Sequence, residues 1–353
     1  MAQRHDYRLR QSPGVLFQYI LSAMYTKYYG LAKKPFALTP DPATVFMSET
    51  HQEGLAILKY GILSKKCFLV LTADVGSVKT TLLQALVNSL EQDVHLCLLN
   101  NPILHRDEFF SFIAKKLGLS WDGNKAMFLI EFGLLLKQCF EKGERVLLIV
   151  DEAHVLPVDL LEEIRLLSNL EEKGQDVLSI FLVGQPELNE RMSDDRLLPL
   201  RQRIGIRFHL NRFDLEETRQ YIHFRLRTAG ARHLNIFSGE AIALIHEASQ
   251  GTPRLINIIG DHALLTGFAE NKPVIGADLV RESIDDLHFP GEDNPLPVAR
   301  SPRAKGKMRA VFGGLGVAVL VAVLLLLEMV PEVRKFSLLG RLFPESWLQY
   351  LHF

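Results

Sequence analysis

The chain has 353 residues, a length that suits two or three modest domains. Its residues are 48% hydrophobic, which excludes a globally disordered chain, and 40 basic against 41 acidic side chains leave no overall positive charge for coating nucleic acid. Cys67, Cys97 and Cys139 lie in apolar surroundings without CxxC or Cys/His ligand spacing. We therefore expect buried thiols rather than a disulfide framework or a zinc site.

The first 24 residues predict an N-terminal extension, with Met24 as an alternative start. A short apolar stretch follows three arginines there, as in a secretory signal, but Gln18 and Tyr19 interrupt it and no clear cleavage site follows. Export would also separate the nucleotide motifs described below from ATP. We therefore expect no secretory signal.

Apolar strand-like runs then alternate with helical stretches. The runs are Cys67 to Thr72, Asp93 to Leu99, Val146 to Asp151, Val177 to Gly184 and Ile206 to Leu210. Strands separated by helix-length connections predict an α/β domain over residues 25–212, with a parallel sheet and helices on both faces. Only helical periodicity follows, so residues 213–288 predict a small all-helical lid domain.

A turn of the kind that binds phosphate follows the first predicted strand. It reads Ala73, Asp74, Val75, Gly76, Ser77, Val78, Lys79, Thr80 and Thr81, and a helical run comes next. Backbone N–H groups at such a helix start surround phosphates, the lysine contacts the β/γ-phosphates, and the first threonine binds Mg²⁺. The pattern therefore predicts ATP and Mg²⁺ as cofactors.

Val78 is the residue that departs from this pattern, because glycine normally precedes the lysine. A β-branched side chain fills space beside the phosphates and resists positive φ. We expect Val78 to weaken phosphate binding, which puts hydrolysis in question.

A second motif ends the third predicted strand in two carboxylates, Asp151 and Glu152. In P-loop enzymes the first organises Mg²⁺ and the second activates the attacking water. The alternative is a charged pair at a helix start. The upstream Lys79 and Thr80 favour the catalytic interpretation. We assign no catalysis to His154.

The C-terminal part predicts membrane attachment. Residues 310–327 carry no charge, and about 18 residues at about 1.5 Å each span ~27 Å, close to the thickness of a bilayer core. A core helix is the alternative. A proline-rich basic tether over residues 289–309 precedes this segment, and a short extracytoplasmic tail over residues 328–353 follows it. The charge asymmetry predicts a single-pass inner-membrane protein with its ATPase domain in the cytoplasm.

Six motifs in order resemble the AAA+ ATPases of the ExeA, or general secretion pathway protein A, family, with its pilus-biogenesis and exosortase-associated relatives. Besides the two motifs above, they are YYGLAKKPFALTPDP (Tyr28 to Pro42), LVGQPEL (Leu182 to Leu188), LRQRI (Leu200 to Ile204) and GTPRLIN (Gly251 to Asn257). The resemblance covers roughly residues 25–290.

The resemblance implies a role for several further residues. Gln185 is the sensor that orients the attacking water. Arg203 is the arginine finger that reaches a neighbouring subunit, and Arg201 is the second choice for this role. Arg254 is the second sensor, in the lid. The segment Tyr28 to Pro42 would lie against the adenine, with Phe36 and the prolines packing there, and the alternative is an N-terminal strap over the core.

The resemblance thus implies a membrane-anchored, homo-oligomeric AAA+ ATPase that hydrolyses ATP during assembly of a secretion, pilus or other cell-envelope apparatus, with envelope proteins as partners. One alternative is a hydrolysis-deficient nucleotide-binding scaffold, because of Val78. A DNA-transposition-type AAA+ regulator is another, disfavoured by the apolar segment and the near-neutral charge.

Overall fold

The structure is a computed structural model that describes residues 24–38, 46–63, 68–76, 79–100, 104–171 and 176–287. The predicted tether, membrane segment and tail lie outside the described residues, as does nearly all of the predicted N-terminal extension. Ser77, Val78 and Cys67 lie outside them too. The predicted domain boundaries stay predictions.

Five parallel strands form the sheet, which confirms the predicted α/β architecture. They are β1 (Phe68–Ala73), β2 (Val94–Leu99), β3 (Arg145–Val150), β4 (Leu178–Gly184) and β5 (Ile204–Leu210), in the spatial order β2-β3-β4-β1-β5. β1 and β4 are buried along their whole length, since helices cover both faces of a parallel sheet.

Helices connect and cover these strands. They are α1 (residues 24–28), α2 (Glu49–Leu63), α3 (Lys79–Asn88), α4 (Arg106–Leu117), α5 (Lys125–Lys142), α6 (Val158–Leu167), α7 (Glu187–Arg191) and α8 (Leu198–Arg203). Local signals fix their ends. The Asn124 side chain caps the start of α5 by accepting from two backbone N–H groups, and left-handed Gly118 and Gly143 end α4 and α5.

Four further helices follow β5, and we call them the lid: α9 (Leu215–Thr228), α10 (Gly239–Ser249), α11 (Pro253–Ala269) and α12 (Ala277–Leu287). They bury a core of their own. The N-terminal residues join this core. The Phe36 ring is 2% exposed and lies edge-on to Phe237, and Arg225 donates to the carbonyl oxygens of Pro35 and Ala37.

The β1 strand lies between β4 and β5, while β3 lies between β2 and β4. Because all five strands are parallel, their carboxyl ends meet at one edge of the sheet. Parallel α/β sheets bind ligands at this edge. The turn after β1, Asp151 after β3 and Gln185 after β4 all lie there.

The predicted localisation, a single-pass inner-membrane protein, is wrong by the test that the structure provides. None of the helices in the described ranges combines the length and the apolar character needed to span a bilayer.

Candidate nucleotide site

The turn after β1 encloses its own lysine. Lys79 is the first residue of α3 and is 6% exposed, and its Nζ donates to the carbonyl oxygen of Ala73 at 3.0 Å. An ammonium group is rarely buried without a partner, so this hydrogen bond fixes the lysine against the loop. The charge therefore lies at the start of α3, where the helix also presents free N–H groups.

Other loop residues have distinct surroundings. Gly76 has φ +74°, in the left-handed region that glycine adopts without strain. The Asp74 carboxylate accepts from Nε of Arg212 at 2.6 Å, which ties the loop to the chain after β5. Thr80 is exposed in the first turn of α3, and Thr81 beside it is half-buried.

Asp151 and Glu152 follow β3 directly. Asp151 is 7% exposed, and its Oδ1 accepts from the backbone N–H of Glu152 at 2.8 Å. Burial raises the pKa of Asp151, while that backbone hydrogen bond and the nearby Lys79 ammonium act in the opposite direction. A cation at this carboxylate would replace the hydration that burial removes.

Glu152 has an unusual backbone that aims its side chain at the next strand. Its φ of +53° lies in the left-handed region, which is uncommon for a residue with a Cβ. The Glu152 Oε2 accepts from Nε2 of Gln185 at 3.3 Å, and Nδ1 of His154 lies 3.4 Å away. The backbone N–H of Gln185 also points to that Nδ1, at 3.4 Å. The ends of β3 and β4 are thus joined through polar side chains.

Arg254 comes to the loop from the lid. It is the second residue of α11, and its backbone N–H donates to the carbonyl oxygen of Gly76 at 3.4 Å. A Cβ on Gly76 would lie 3.1 Å from Cβ of Arg254 and 3.2 Å from Cγ2 of Thr252, so only glycine fits without a shift. The exposed guanidinium has no hydrogen bond or ion pair to another described residue.

The structure does not bring Arg203 or Arg201 to this edge. The exposed Arg203 guanidinium donates to Ser168 Oγ, Asn169 Oδ1 and the carbonyl oxygen of Arg165, just after α6. Arg201 donates to the carbonyl oxygen of Met192 at 3.0 Å. Neither arginine forms a hydrogen bond or ion pair with Lys79, Asp151 or Glu152.

One expectation needs correction, namely that Phe36 lies against a bound adenine. Phe36 belongs to the lid core, and α11 lies so close that a Cβ on Gly260 would be 2.9 Å from the ring. Conversely, the sequence gives no reason to link Arg212 with Asp74. They are 138 residues apart, and only the fold brings them together.

The residues at this edge fit a nucleoside phosphate with a divalent cation. A buried ammonium and a helix start favour phosphate, and the buried Asp151 carboxylate together with the Thr80 hydroxyl supplies the oxygen ligands that Mg²⁺ prefers. Such a strand, turn and helix in a parallel sheet define the class of P-loop nucleotide-binding proteins.

Within that class, residues 62–192 match the family model described as "AAA domain". The chain is also 39% identical over 251 residues to general secretion pathway protein A of Aeromonas hydrophila, a match that covers 70% of this chain. Residues 62–192 are therefore similar to the AAA domain family, and the longer 251-residue match extends the similarity to the secretion protein. The match spans 45% of the Aeromonas protein, so the chain aligns with less than half of that relative.

Two solved structures are similar in fold. Cdc6p from Pyrobaculum aerophilum has a TM-score of 0.54 at 17% identity, and the ORC2 protein of Aeropyrum pernix, in ADPNP-ADP complexes, has 0.53 at 18%. Each match covers 72% of this chain and 71% of the other. At this identity the likeness is one of fold alone.

Proposed function

We propose that the protein is an ATPase that binds Mg-ATP at the carboxyl edge of its sheet and hydrolyses the γ-phosphate. The observation that carries the proposal is the Gln185–Glu152 hydrogen bond of 3.3 Å beside the buried Asp151. A carboxylate whose oxygen accepts a hydrogen bond from an amide is oriented to receive a proton from water. A general base is identified first by such geometry and only then by its pKa.

The chain's own residues divide the work of binding. The backbone of the motif from Ala73 to Thr81 and the Lys79 ammonium would hold the phosphates, while Thr80 and Asp151 would hold Mg²⁺. Bound Mg²⁺ supplies charge stabilisation to the transferring phosphoryl group. Arg254 extends an exposed guanidinium from the lid beside Gly76, so lid position and phosphate charge are coupled.

Glu152 takes the proton of the attacking water, and Gln185 orients the Glu152 carboxylate and that water. The left-handed backbone of Glu152 supports this role, because strained residues concentrate at functional sites. Removal of the carboxylate should remove turnover and leave phosphate binding intact.

Arg203 supports a homo-oligomer. Its guanidinium is exposed and, in its own chain, lies beside Ser168 and Asn169 and not at the Lys79 site, so the proposed finger would have to act on a neighbouring subunit. An arginine supplied by a neighbour stabilises charge on the transferring phosphoryl group. Active sites would then be complete only between subunits.

The client of this ATPase is inferred from the Aeromonas relative, whose name places it in general secretion. We infer that nucleotide turnover drives assembly of a secretion, pilus or other cell-envelope apparatus, with envelope proteins as partners. Lid movement relative to the sheet would deliver the mechanical step.

The test is Mg-ATP hydrolysis and ATP binding by the full chain and by Glu152→Gln. We expect turnover to fall by at least about 100-fold while ATP affinity stays within about twofold. Glu247→Gln is the matched control, since it removes the same charge from an exposed position on α10 and should not change either value. Normal hydrolysis by Glu152→Gln would exclude the assigned role.

A further inference from the structure

Three side chains of metal-binding type converge at the opposite edge of the sheet. They are His95, Cys139 and Glu144, and their ligand atoms all lie within 4.8 Å of one another. Nitrogen, sulfur and carboxylate oxygen are each zinc ligands in proteins. The 43 residues between His95 and Cys139 hide this group from any spacing rule applied to the sequence.

The backbone fixes all three positions. Cys139 lies in the last turn of α5, and its carbonyl oxygen accepts from the backbone N–H of Glu144 at 2.8 Å across the left-handed Gly143. His95 is the second residue of β2 and pairs with Val146 of β3. The end of the helix, the turn and the strand pairing fix the backbone of these residues before any metal binds. The conformational entropy lost on forming a site is therefore small.

This group is separate from the nucleotide site. His95 is near the start of β2 and Glu144 precedes β3, whereas Asp151 follows the last residue of β3. Six strand residues at about 3.3 Å each separate the two edges by roughly 20 Å. No residue of the group takes part in the proposed ATP chemistry.

We propose that His95, Cys139 and Glu144 bind one Zn²⁺ ion, with a fourth position open to solvent. The His95 and Glu144 side chains are 40% and 28% exposed, so water can reach that position, while the buried Cys139 lies behind them. Three protein ligands and one exchangeable ligand are a common zinc arrangement. The thiolate distinguishes this site from one for Mg²⁺ or Ca²⁺, which prefer oxygen alone.

Binding requires two local changes. Nε2 of His95 and Oε2 of Glu144 are hydrogen-bonded at 2.7 Å, and ligands around zinc must separate to about 3.3–3.7 Å. Zn²⁺ also takes the place of the Cys139 thiol proton, which leaves to solvent. Burial raises the pKa of Cys139 and Glu144 raises it further, while the Lys142 ammonium acts in the opposite direction.

The experiment uses Co²⁺ as a spectroscopic probe on the reduced full chain without nucleotide. We expect one equivalent of Co²⁺ to produce thiolate-to-cobalt absorption, and Zn²⁺ to displace it. Cys139→Ser should abolish this absorption, while His95→Gln and Glu144→Gln should each weaken Co²⁺ binding by about 10-fold or more.

Cys97→Ser is the matched control, because Cys97 is a second buried free thiol on β2 that is outside the group. Cys97→Ser should leave the thiolate-to-cobalt absorption unchanged, and Lys79→Ala should also leave that absorption unchanged. Thermal unfolding with and without Zn²⁺ gives an independent readout, since only a folded-state site raises Tm. Absence of thiolate absorption in the natural chain, or its loss in Cys97→Ser alone, would overturn the proposal.

Discussion

Gln185 donates a hydrogen bond from Nε2 to Oε2 of Glu152 at 3.3 Å, and this contact joins the carboxyl end of β4 to that of β3. The amide can also turn to a water molecule at the same place. We therefore expect Gln185→Leu to leave ATP binding unchanged and to lower turnover by about 10- to 100-fold.

A steady-state assay with ATP binding measured separately checks this effect. Gln220→Leu makes the same substitution at an exposed position of α9 and should retain full turnover. If Gln185→Leu loses ATP affinity instead of turnover, the amide serves binding and not water positioning.

The second prediction concerns Arg203 and the proposed subunit interface. Arg203→Ala alone should lower turnover by about 1,000-fold or more, as expected for loss of an arginine finger. Glu152→Gln alone should be inactive as well. When the two variants are mixed, some interfaces combine an intact Glu152 with an intact Arg203 from the neighbour, and part of the activity should return.

The control for this mixing experiment is Arg207→Ala, an exposed arginine on β5 that should keep normal turnover. Mixing two preparations of Arg203→Ala should restore nothing. If the mixture of Arg203→Ala and Glu152→Gln stays inactive although mixed oligomers form, Arg203 does not act across subunits.

The third prediction concerns Gly251, where the lid meets the sheet. Gly251 has φ +70°, and a Cβ there would lie 1.9 Å from the carbonyl oxygen of Phe213. Gly118 has nearly the same φ, +72°, but nothing lies within 4 Å of its Cβ position. Gly118→Ala should thus cost about 1–2 kcal/mol of unfolding free energy for the left-handed backbone alone.

Gly251→Ala should cost at least about 1–3 kcal/mol more than Gly118→Ala, because backbone must move to make room. Denaturant unfolding of both variants measures the difference. Equal unfolding free energies would mean that the contact between Gly251 and Phe213 relaxes freely.

The fourth prediction is a pH dependence of stability that arises from His51. Its ring is buried, Nδ1 lies 2.7 Å from Ser48 Oγ, and Nε2 has no hydrogen-bond partner among the described residues. Burial lowers the pKa of His51 to about 4, from about 6.5 in the unfolded chain, and nearby Glu217 partly opposes this shift. The unfolded state therefore binds the proton more readily.

The sign follows from proton linkage. As pH falls from about 6.5 to about 4, the folded state loses up to about 1.4 kcal/mol per pH unit from this residue, and below about 4 the loss stops. Unfolding free energies of the natural chain and His51→Gln should differ by an amount that changes through this window.

Much of the sheet could be predicted because its inner strands are continuous apolar runs. β4 is buried at every position, and the predicted run Val177 to Gly184 differs from the strand by one residue. The β5 strand is harder to predict from the sequence, since it lies at the edge of the sheet and its exposed and half-buried residues alternate. The sequence predicts only Ile206 to Leu210, whereas the strand begins at Ile204.

In the candidate site, too, some features could be predicted from the sequence and others could not. Lys79 and Asp151 follow from motifs that are local in the chain. The left-handed backbone of Glu152 and the Arg212–Asp74 ion pair do not, because they depend on contacts between distant segments. The family resemblance predicts that Phe36 lies against adenine, whereas its large apolar ring is buried in the lid core, where it is removed from water.

The most direct test of the proposed ATPase is Mg-ATP turnover per subunit by the full chain over a range of protein concentrations, beside Val78→Gly. We predict that the natural chain hydrolyses ATP and that turnover per subunit rises with concentration, since sites would be completed between subunits. Val78→Gly should hydrolyse faster, because it restores the glycine that normally precedes the lysine in this phosphate-binding motif. Turnover that is absent from the natural chain at every concentration and present only in Val78→Gly would contradict the account and indicate a nucleotide-binding scaffold.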